Sequence, residues 1–123
     1  MPTMLSIIES KFHPNFSVLY RSLNITNTYF DSMRKTIAAL KTQQPDYIVA
    51  EFFYGYGSNY AGVNISNLDV MLYTLQKYSP ETRVIVFVDK SEYQYVDALN
   101  KIIPLHGVLR HPVSETQMKA LLV

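Results

Sequence analysis

Two segments of the chain, YIVAEF at 47–52 and RVIVFVDK at 83–90, contain apolar runs that occupy both alternating faces of a strand. A strand that is apolar on both faces has to be covered on both sides, which is typical of a central strand in a parallel sheet. Parallel neighbours need a crossover segment between them, and that segment is usually a helix. The two runs therefore predict an α/β fold in which helices cover both faces of a sheet.

Strand-like and helix-like patterns alternate along the rest of the chain. β-Branched and aromatic residues predict three further strands, and apolar residues at helical spacing predict the helices. The predicted strands are 4–9, 24–30, 47–52, 83–90 and 106–110, and the predicted helices are 13–23, 31–44, 64–79, 91–103 and 114–123. This order predicts a single domain, residues 1–123, with a flavodoxin-like, doubly wound (βα)5 parallel sheet of strand order 2-1-3-4-5.

Residues at the ends of three predicted helices have the chemistry of helix caps. Pro14 is expected in the first turn of helix 1, because the N–H that proline lacks would have no acceptor within the helix at that position. Ser91 is expected to cap helix 4, because a serine hydroxyl can accept a hydrogen bond from the first turn. Ser114, with Gln117 three residues later, fits a capping box at the start of helix 5.

Composition and charge exclude several classes of function for these 123 residues. The net charge of +1 gives no broad basic footprint, so direct binding of nucleic acid by this segment is not expected. Without cysteine, disulfides, thiolate catalysis and cysteine-bound metals are excluded. The sequence shows neither a signal-peptide pattern nor an apolar run long enough to span a bilayer. We therefore expect a cytoplasmic protein that does not bind membranes.

The candidate functional residues are those expected at the carboxyl ends of the strands, where doubly wound sheets bind ligands. They are Glu9, Glu51, Val88 and His111. If strands 1 and 3 are neighbours, Glu9 and Glu51 approach each other, and two carboxylates can bind a divalent cation or share a proton. The three histidines have no metal-ligand spacing, so no metal site is expected apart from that alternative.

The segment that follows Glu51, FFYGYGSNYAG, is rich in glycine and aromatic residues. It does not have the spacing of a nucleotide-binding glycine motif, and no Lys-Ser/Thr pair follows it, so no phosphate-binding loop is expected there. Some of the aromatic residues of 52–60 are expected to fold back over the end of the sheet, and others to form a contact surface.

Three stretches resemble the receiver domain of bacterial response regulators: TIAALKTQQPDYIVAEF, TRVIVFVDK and HGVLRHPV. The first is similar to helix 2, the turn and strand 3 of the family, where strand 3 ends at a phospho-acceptor aspartate. The second is similar to strand 4, which ends in a hydroxyl residue. The third is similar to strand 5, with its glycine, aromatic residue, lysine and proline. The likeness extends over essentially the whole chain and implies a CheY-like fold.

The residues at the functional positions of that family differ in this chain, which implies a degenerate receiver, or pseudo-receiver. Glu51 corresponds to the acceptor, and its extra methylene would misplace the attacking oxygen. Ser10 replaces one member of the acidic pair that holds Mg²⁺ in the family, so neither Mg²⁺ nor another cofactor is expected. The other equivalent positions of the receiver site are Glu9, Val88, Val108 and His111.

Val88, Val108 and His111 replace the groups through which conventional receivers bind phosphate and transmit its presence. Val88 has no hydroxyl group, and Val108 has no aromatic ring. His111 does not supply the permanent cation that lysine supplies. The negative charge of Glu51 then has two interpretations, a mimic of the phosphorylated state or a structural remnant, and the sequence leaves both open.

The resemblance implies a non-enzymatic signalling module that acts by protein contacts in signal transduction or transcription regulation. Expected partners are a sensor kinase or an output or regulatory domain, including one that would follow Val123 in a longer regulator. In the family, helix 4, strand 5 and helix 5 commonly form dimer surfaces, so a homodimer through these elements is expected. The candidate interface residues are Tyr93, Tyr95, Lys101 and Arg110.

The alternative function is a flavodoxin-like small-ligand-binding protein or enzyme that uses the cleft at the strand ends. Aromatic residues of 52–60 would stack on a flat ligand, and Glu51 and His111 would exchange a proton. Such proteins bind phosphate through a loop after strand 1. The corresponding segment here, ESKFHPNF, has no glycine and offers only Ser10 and Lys11.

Overall fold

The computed structural model describes residues 2–11, 13–54 and 66–123, and these contain one five-stranded parallel sheet in the order β2-β1-β3-β4-β5. The strands are β1 (Thr3–Ile7), β2 (Thr26–Phe30), β3 (Tyr47–Glu51), β4 (Arg83–Val88) and β5 (Gly107–Arg110). The helices are α1 (Ser17–Ser22), α2 (Met33–Leu40), α3 (Asp69–Tyr78), α4 (Tyr93–Val96) and α5 (Glu115–Leu122). The predicted fold class and strand order are confirmed.

The two central apolar strands, β3 and β4, divide the hydrophobic core into two layers. All of β3 is buried, and β4 is buried from Val84 to Val88. Ile48 belongs to the layer that packs against α2, α3 and α4, whereas Val49 belongs to the layer that packs against α1 and α5. Burial on both faces explains why these strands have no polar face, because each side chain has to leave water.

The sequence-based boundaries of α5 agree with the structure, and α3 buries an apolar stripe. Ser114 Oγ accepts a hydrogen bond from the N–H of Gln117, and Gln117 Oε1 accepts one from the N–H of Ser114, which completes the capping box. In α3, the side chains of Met71, Leu72 and Leu75 are fully buried. Local signals of this kind are reliable because both partners lie within one helical turn.

The structure corrects the predicted end of β1 and the predicted start of α1. β1 ends at Ile7 rather than near Glu9, because the N–H groups of Glu9 and Ser10 leave the strand ladder and turn towards a side chain of β3. α1 begins at Ser17, so Pro14 precedes the helix instead of occupying its first turn. The residues before α1 form the loop that brings His13 to the same side chain.

The structure also corrects the predicted helix 4. The segment Lys90–Lys101, here called the helix-4 region, consists of a 3₁₀ turn, the single α-helical turn of α4 and a second 3₁₀ segment. Its cap is Asp89 rather than Ser91: Asp89 Oδ2 accepts hydrogen bonds from the N–H and the hydroxyl of Ser91, at 3.0 and 2.5 Å. Tyr93, Tyr95 and the β-branched Val96 weaken the preference of this segment for a regular helix.

None of the described helices is both long enough and apolar enough to cross a membrane.

Candidate functional site

The carboxyl edge of the sheet places Glu51 at the centre of the candidate site. Glu51 is the last residue of β3, which lies between β1 and β4, and it pairs in register with Phe87. Its side chain is withdrawn from solvent, with the residue 1% exposed. Burial of an ionised carboxylate is costly unless hydrogen-bond donors replace the lost water. The surroundings of Glu51 therefore determine what this residue can do.

Hydrogen-bond donors from the loop between β1 and α1 surround the Glu51 carboxylate. The N–H groups of Glu9 and Ser10 donate to Oε1 at 3.0 and 3.1 Å. The Ser10 hydroxyl donates to Oε2 in a short hydrogen bond. The His13 ring adds a contact from Nδ1 to Oε1 at 3.3 Å, and its side chain is only 3% exposed. One loop thus supplies all four of these contacts, which take the place of water around a buried charge.

These contacts keep Glu51 ionised in spite of its burial. Burial by itself raises the pKa of the carboxyl group, but the opposing hydrogen bonds from the His13 ring, the Ser10 hydroxyl and the Glu9 N–H are together stronger. They lower the pKa of Glu51 to about 2. A carboxylate with such a pKa accepts hydrogen bonds and does not act as a proton donor near neutral pH. Proton exchange between Glu51 and His111, expected under the ligand-binding alternative, therefore has no support from this environment.

An asparagine that sequence inspection did not single out binds both the Glu9 carboxylate and the main chain of Glu51. Asn67 Nδ2 donates to Glu9 Oε1 at 2.9 Å and also to the main-chain oxygen of Glu51 at 2.8 Å. Asn67 Oδ1 accepts from the N–H of Phe53 at 2.8 Å. Burial, together with the charge of Glu51, raises the pKa of Glu9 although the Asn67 hydrogen bond opposes this. Asn67 therefore joins the residues before α3 to the ends of β1 and β3.

The residues of β4 and β5 at this edge provide an apolar wall and a second histidine. Val88 is buried, and its main-chain oxygen accepts from the N–H of His111 at 2.9 Å. Val108 is half-buried and packs against the core layer of α2, α3 and α4. The rings of His111 and His13 lie 6.0 and 5.4 Å from the ring of Phe87, measured between centroids. His111, Val88 and Glu51 all lie at the carboxyl edge, as the sequence predicted.

His13 is a further residue of the candidate site that sequence reasoning missed. It is 38 positions from Glu51, and the spacing of the three histidines gave no sign of a shared site. The one available signal was its place shortly after β1, because the loop that follows this strand runs along the same edge as the end of β3. A histidine in that loop can reach a buried acid on the neighbouring strand.

A cavity of about 480 Å³ opens at this edge between β3 and the helix-4 region. It is lined by Ser10, Glu51, Phe52, Phe53, Asp89, Ser91, Glu92, His111 and Pro112. Hydrogen bonds from the Ser91 side chain and N–H lower the pKa of Asp89, which is therefore charged at neutral pH. The sequence predicted the strand-end location of this cleft but not Asp89 and Glu92, which lie just beyond β4.

An exposed aromatic cluster lies beside the cavity and includes three of the four predicted interface residues. The rings of Tyr54 and Tyr95 stack with centroids 3.8 Å apart, and the Arg110 guanidinium lies 5.2 Å from the centre of the Tyr93 ring. The N–H of Tyr54 donates to Glu92 Oε1 at 3.3 Å. These five residues are here called the tyrosine cluster. The fourth predicted residue, Lys101, is exposed at the end of the helix-4 region.

The aromatic segment 52–60 is described only in part. Phe52 is buried in the core and Tyr54 is 49% exposed, so the two expectations for these aromatic residues, folding back and forming a surface, each hold for one of them. The predictions that concern Tyr56 and Tyr60 lie outside the described residues.

Comparison with known proteins identifies the fold but gives no sequence relative. No family model matches the chain, and no curated protein matches it. Among the solved structures, 67 chains match. A response regulator from Burkholderia pseudomallei, solved with a phosphorylated aspartic acid, a calcium ion and citrate, is 15% identical with a TM-score of 0.69. The match covers 100% of this chain and 67% of that one. This chain has the receiver-domain fold.

Two further matches have the same receiver-domain fold over nearly their full length. The receiver domain of a sensor histidine kinase from Pseudomonas aeruginosa, which has a magnesium ion in its active-site cleft, is 12% identical with a TM-score of 0.69 over 98% of this chain and 93% of that one. The receiver domain of a Francisella response regulator is 18% identical, with a TM-score of 0.69 over 99% and 95%. At these identities, the likeness shows the fold and leaves the activity to be argued from the site.

Proposed function

We propose that this receiver-fold domain is a non-enzymatic signalling module that acts by protein contacts and does not transfer phosphate at Glu51. The observation that carries the proposal is the set of hydrogen bonds around the Glu51 carboxylate. Both oxygens accept hydrogen bonds from the loop after β1. An acceptor carboxylate has to present an oxygen to the incoming phosphoryl group, and here that would require breaking contacts that stabilise a buried charge.

The side chains around Glu51 do not fit the Mg²⁺ ion that receivers of this family use. Ser10 donates its hydroxyl to Glu51 where a second carboxylate would be needed, and the Glu9 carboxylate is engaged by Asn67. Within the described ranges, no three His, Asp or Glu side chains are close enough to hold a metal ion. We therefore propose a module that uses no Mg²⁺, including at the Glu9 and Glu51 pair.

We propose further that Glu51 is a structural anchor and not a mimic of the phosphorylated state. Its contacts fix the loop that follows β1, on the side of β3 away from β5. On the other side, Val88 offers no hydroxyl and Val108 offers no ring through which the charge could act on the surface of β5. Stabilisation of the fold is then the main contribution of this acid.

Treatment with acetyl phosphate and Mg²⁺, followed by intact-mass measurement, tests the proposal. We expect the wild-type mass to remain unchanged under conditions that fully modify a conventional receiver in a parallel reaction. The variant Glu51→Gln identifies the site if any modification occurs. A stoichiometric gain of one phosphoryl group by the wild type that is absent in Glu51→Gln would overturn the proposal.

For the contact surface, we propose a homodimer through the helix-4 region, β5 and α5, with the tyrosine cluster at its centre. Three of its tyrosines have large exposed areas: Tyr54, Tyr93 and Tyr95 are 49%, 47% and 36% exposed. Tyrosine and arginine are enriched at interfaces because they combine apolar area with a polar group. The other expected partner is a sensor kinase or an output or regulatory domain. This partner and a location in the cytoplasm remain predictions.

Sedimentation velocity over a range of protein concentrations tests the homodimer. We expect the wild type to self-associate and Tyr95→Ala to shift the equilibrium towards the monomer. Tyr73→Ala is the matched control, because Tyr73 is 53% exposed on α3, outside the proposed surface. A wild type that is monomeric at the highest concentration, or equal effects of the two substitutions, would contradict this surface.

A further inference from the structure

The cavity at the carboxyl edge has the size and the lining of a small-molecule site. Its volume of about 480 Å³ lies within the usual range for ligand pockets, roughly 300–1,000 Å³. Phe52, Phe53 and Pro112 supply its apolar lining, and its other described lining residues are polar. This combination is typical of pockets that hold a flat organic molecule by its faces and orient it by a few polar contacts.

The polar lining of the cavity is acidic apart from two serines and His111. Asp89 and Glu92 line it together with Glu51, and neither lysine nor arginine occurs among its described lining residues. Asp89 uses Oδ2 for both of its hydrogen bonds to Ser91, and Glu92 uses Oε1 for its bond to the N–H of Tyr54. The second oxygen of each carboxylate accepts no hydrogen bond from the described part of the chain. Each can therefore accept one from a ligand.

The charge of this lining selects among possible occupants. An anionic ligand such as a phosphate ester would be repelled by Asp89 and Glu92, and by the buried charge of Glu51. A cationic group forms charge-assisted hydrogen bonds with carboxylates, and amidinium or guanidinium groups can do so in pairs. A cation also interacts favourably with the faces of phenylalanine rings. Both kinds of contact favour the same class of molecule.

We propose that this cavity binds a small organic cation with a flat ring, whose ring contacts Phe53 and Pro112 and whose positive group binds Asp89 and Glu92. The site does not depend on phosphorylation, because it needs no phosphoryl group on Glu51. It shares Glu92 with the tyrosine cluster of the proposed dimer, so the NMR titration is done at a concentration where sedimentation shows a single oligomeric state. It also gives the ligand-binding alternative left open by the sequence a definite location and charge preference.

Titration with benzamidine, a flat aromatic cation, tests the proposal when it is followed by two-dimensional ¹H–¹⁵N NMR of the whole chain. Benzamide and benzoate are the matched probes, since they keep the ring and replace the cation by a neutral and a negative group. We expect benzamidine to cause saturable shifts concentrated at Phe53, Asp89, Glu92 and His111. Benzamide should bind more weakly, and benzoate should cause no saturable shifts at these residues.

Two substitutions that replace an acid by its neutral amide test which carboxylates bind the ligand. Asp89→Asn keeps a good capping residue for the helix-4 region, and Glu92→Gln keeps the size of the side chain. Each should weaken benzamidine binding about tenfold, because a charge-assisted hydrogen bond becomes a neutral one. The control Glu81→Gln removes an exposed acid next to the start of β4, at the opposite end of that strand, and should leave the affinity unchanged.

Several outcomes would overturn this assignment. They are an absence of saturable benzamidine shifts, shifts centred away from the cavity, equal affinity for benzamidine and benzamide, or equal loss of affinity in Glu81→Gln and Asp89→Asn. The NMR map of the wild type decides the location without any variant, so a variant that fails to fold does not prevent the test.

Discussion

One acid lies at each end of β3. The acid at the amino end binds strand β1 and is exposed, whereas the acid at the carboxyl end binds the loop that follows β1 and is buried. Asp46, just before β3, is exposed and accepts hydrogen bonds from the N–H and hydroxyl of Thr3, at 2.8 and 3.3 Å. Glu51, the last residue of β3, is buried and accepts from Glu9, Ser10 and His13. At the amino end one residue supplies the donors, and at the carboxyl end three residues do so.

The difference between these ends shows how burial determines the number of partners that an acid needs. Water solvates the exposed Asp46 carboxylate, so its contacts with Thr3 add only a modest net stabilisation. Around Glu51, protein donors have to replace the water completely, because an unpaired buried charge costs several kcal/mol. The donors at the carboxyl end therefore stabilise one buried charge, which is the reason we propose a structural role for Glu51.

Replacement of Glu51 by leucine should give the largest effect. We expect Glu51→Leu to lower the free energy of unfolding by about 3 kcal/mol, because several buried donors lose their acceptor at once. Urea denaturation followed by circular dichroism measures this change. A loss below about 1 kcal/mol would contradict the structural role, since unpaired buried donors cost more than that.

Acidification should reduce stability through the same carboxylate. The pKa of Glu51 falls from its ordinary value of 4.5 to about 2 on folding, so its contribution is present above the ordinary value and is lost as pH falls through this interval. We expect the free energy of unfolding to drop by about 2 kcal/mol in that interval. Glu9 acts in the opposite direction, because its raised pKa favours the folded state at low pH.

Denaturation at a series of pH values, for the wild type and Glu51→Gln, separates this contribution from those of the other acids. The glutamine variant does not titrate at position 51, so its stability should fall less on acidification. Parallel pH profiles for the two proteins would show that the acid sensitivity arises elsewhere.

Loss of the histidine contact should have an intermediate effect. His13→Phe keeps an aromatic ring against Phe87 and removes the contact to Glu51 Oε1. We expect a decrease of about 1 kcal/mol in the free energy of unfolding and a higher pKa for Glu51. Carbon-13 NMR of the Glu51 carboxyl group measures that pKa. An unchanged value would mean that Ser10 and the backbone N–H groups alone stabilise the charge.

Substitution at the exposed end should have the smallest effect. Asp46→Ala removes the acceptor for Thr3, whose N–H and hydroxyl can turn to water instead. We expect a loss of about 0.5 kcal/mol, measured by the same urea denaturation. If Asp46→Ala were as destabilising as Glu51→Leu, burial would not be the cause of the difference between the two ends.

Much of the architecture could be predicted because its signals are local. The apolar runs of β3 and β4 specified central strands, and the alternation with helices specified the parallel sheet. The capping box at Ser114 was likewise readable within four residues. Local signals failed in the helix-4 region, where competing capping chemistry placed the cap at Asp89 and the segment forms only one α-helical turn.

The candidate site was predictable in position but not in composition. The carboxyl edge, Glu51 and His111 followed from where parallel strands end. The partners of Glu51 did not follow, because His13 and Asn67 reach this edge on segments whose paths are set by packing and not by periodicity. The expectation that Glu9 and Glu51 approach each other did not include Asn67, which binds the Glu9 carboxylate and the main-chain oxygen of Glu51.

The sequence by itself determined which segments form the sheet, in what order, and which residues stand at its carboxyl edge, because patterns of burial recur at fixed spacing along a strand or helix. Only the tertiary structure decided what those residues do. Hydrogen bonds and charge depend on groups brought together from distant positions: the donors around Glu51 come from 38 to 42 residues away. Removal of water from that side chain is a property of the assembled core, and it is the basis of the structural role that we propose for Glu51.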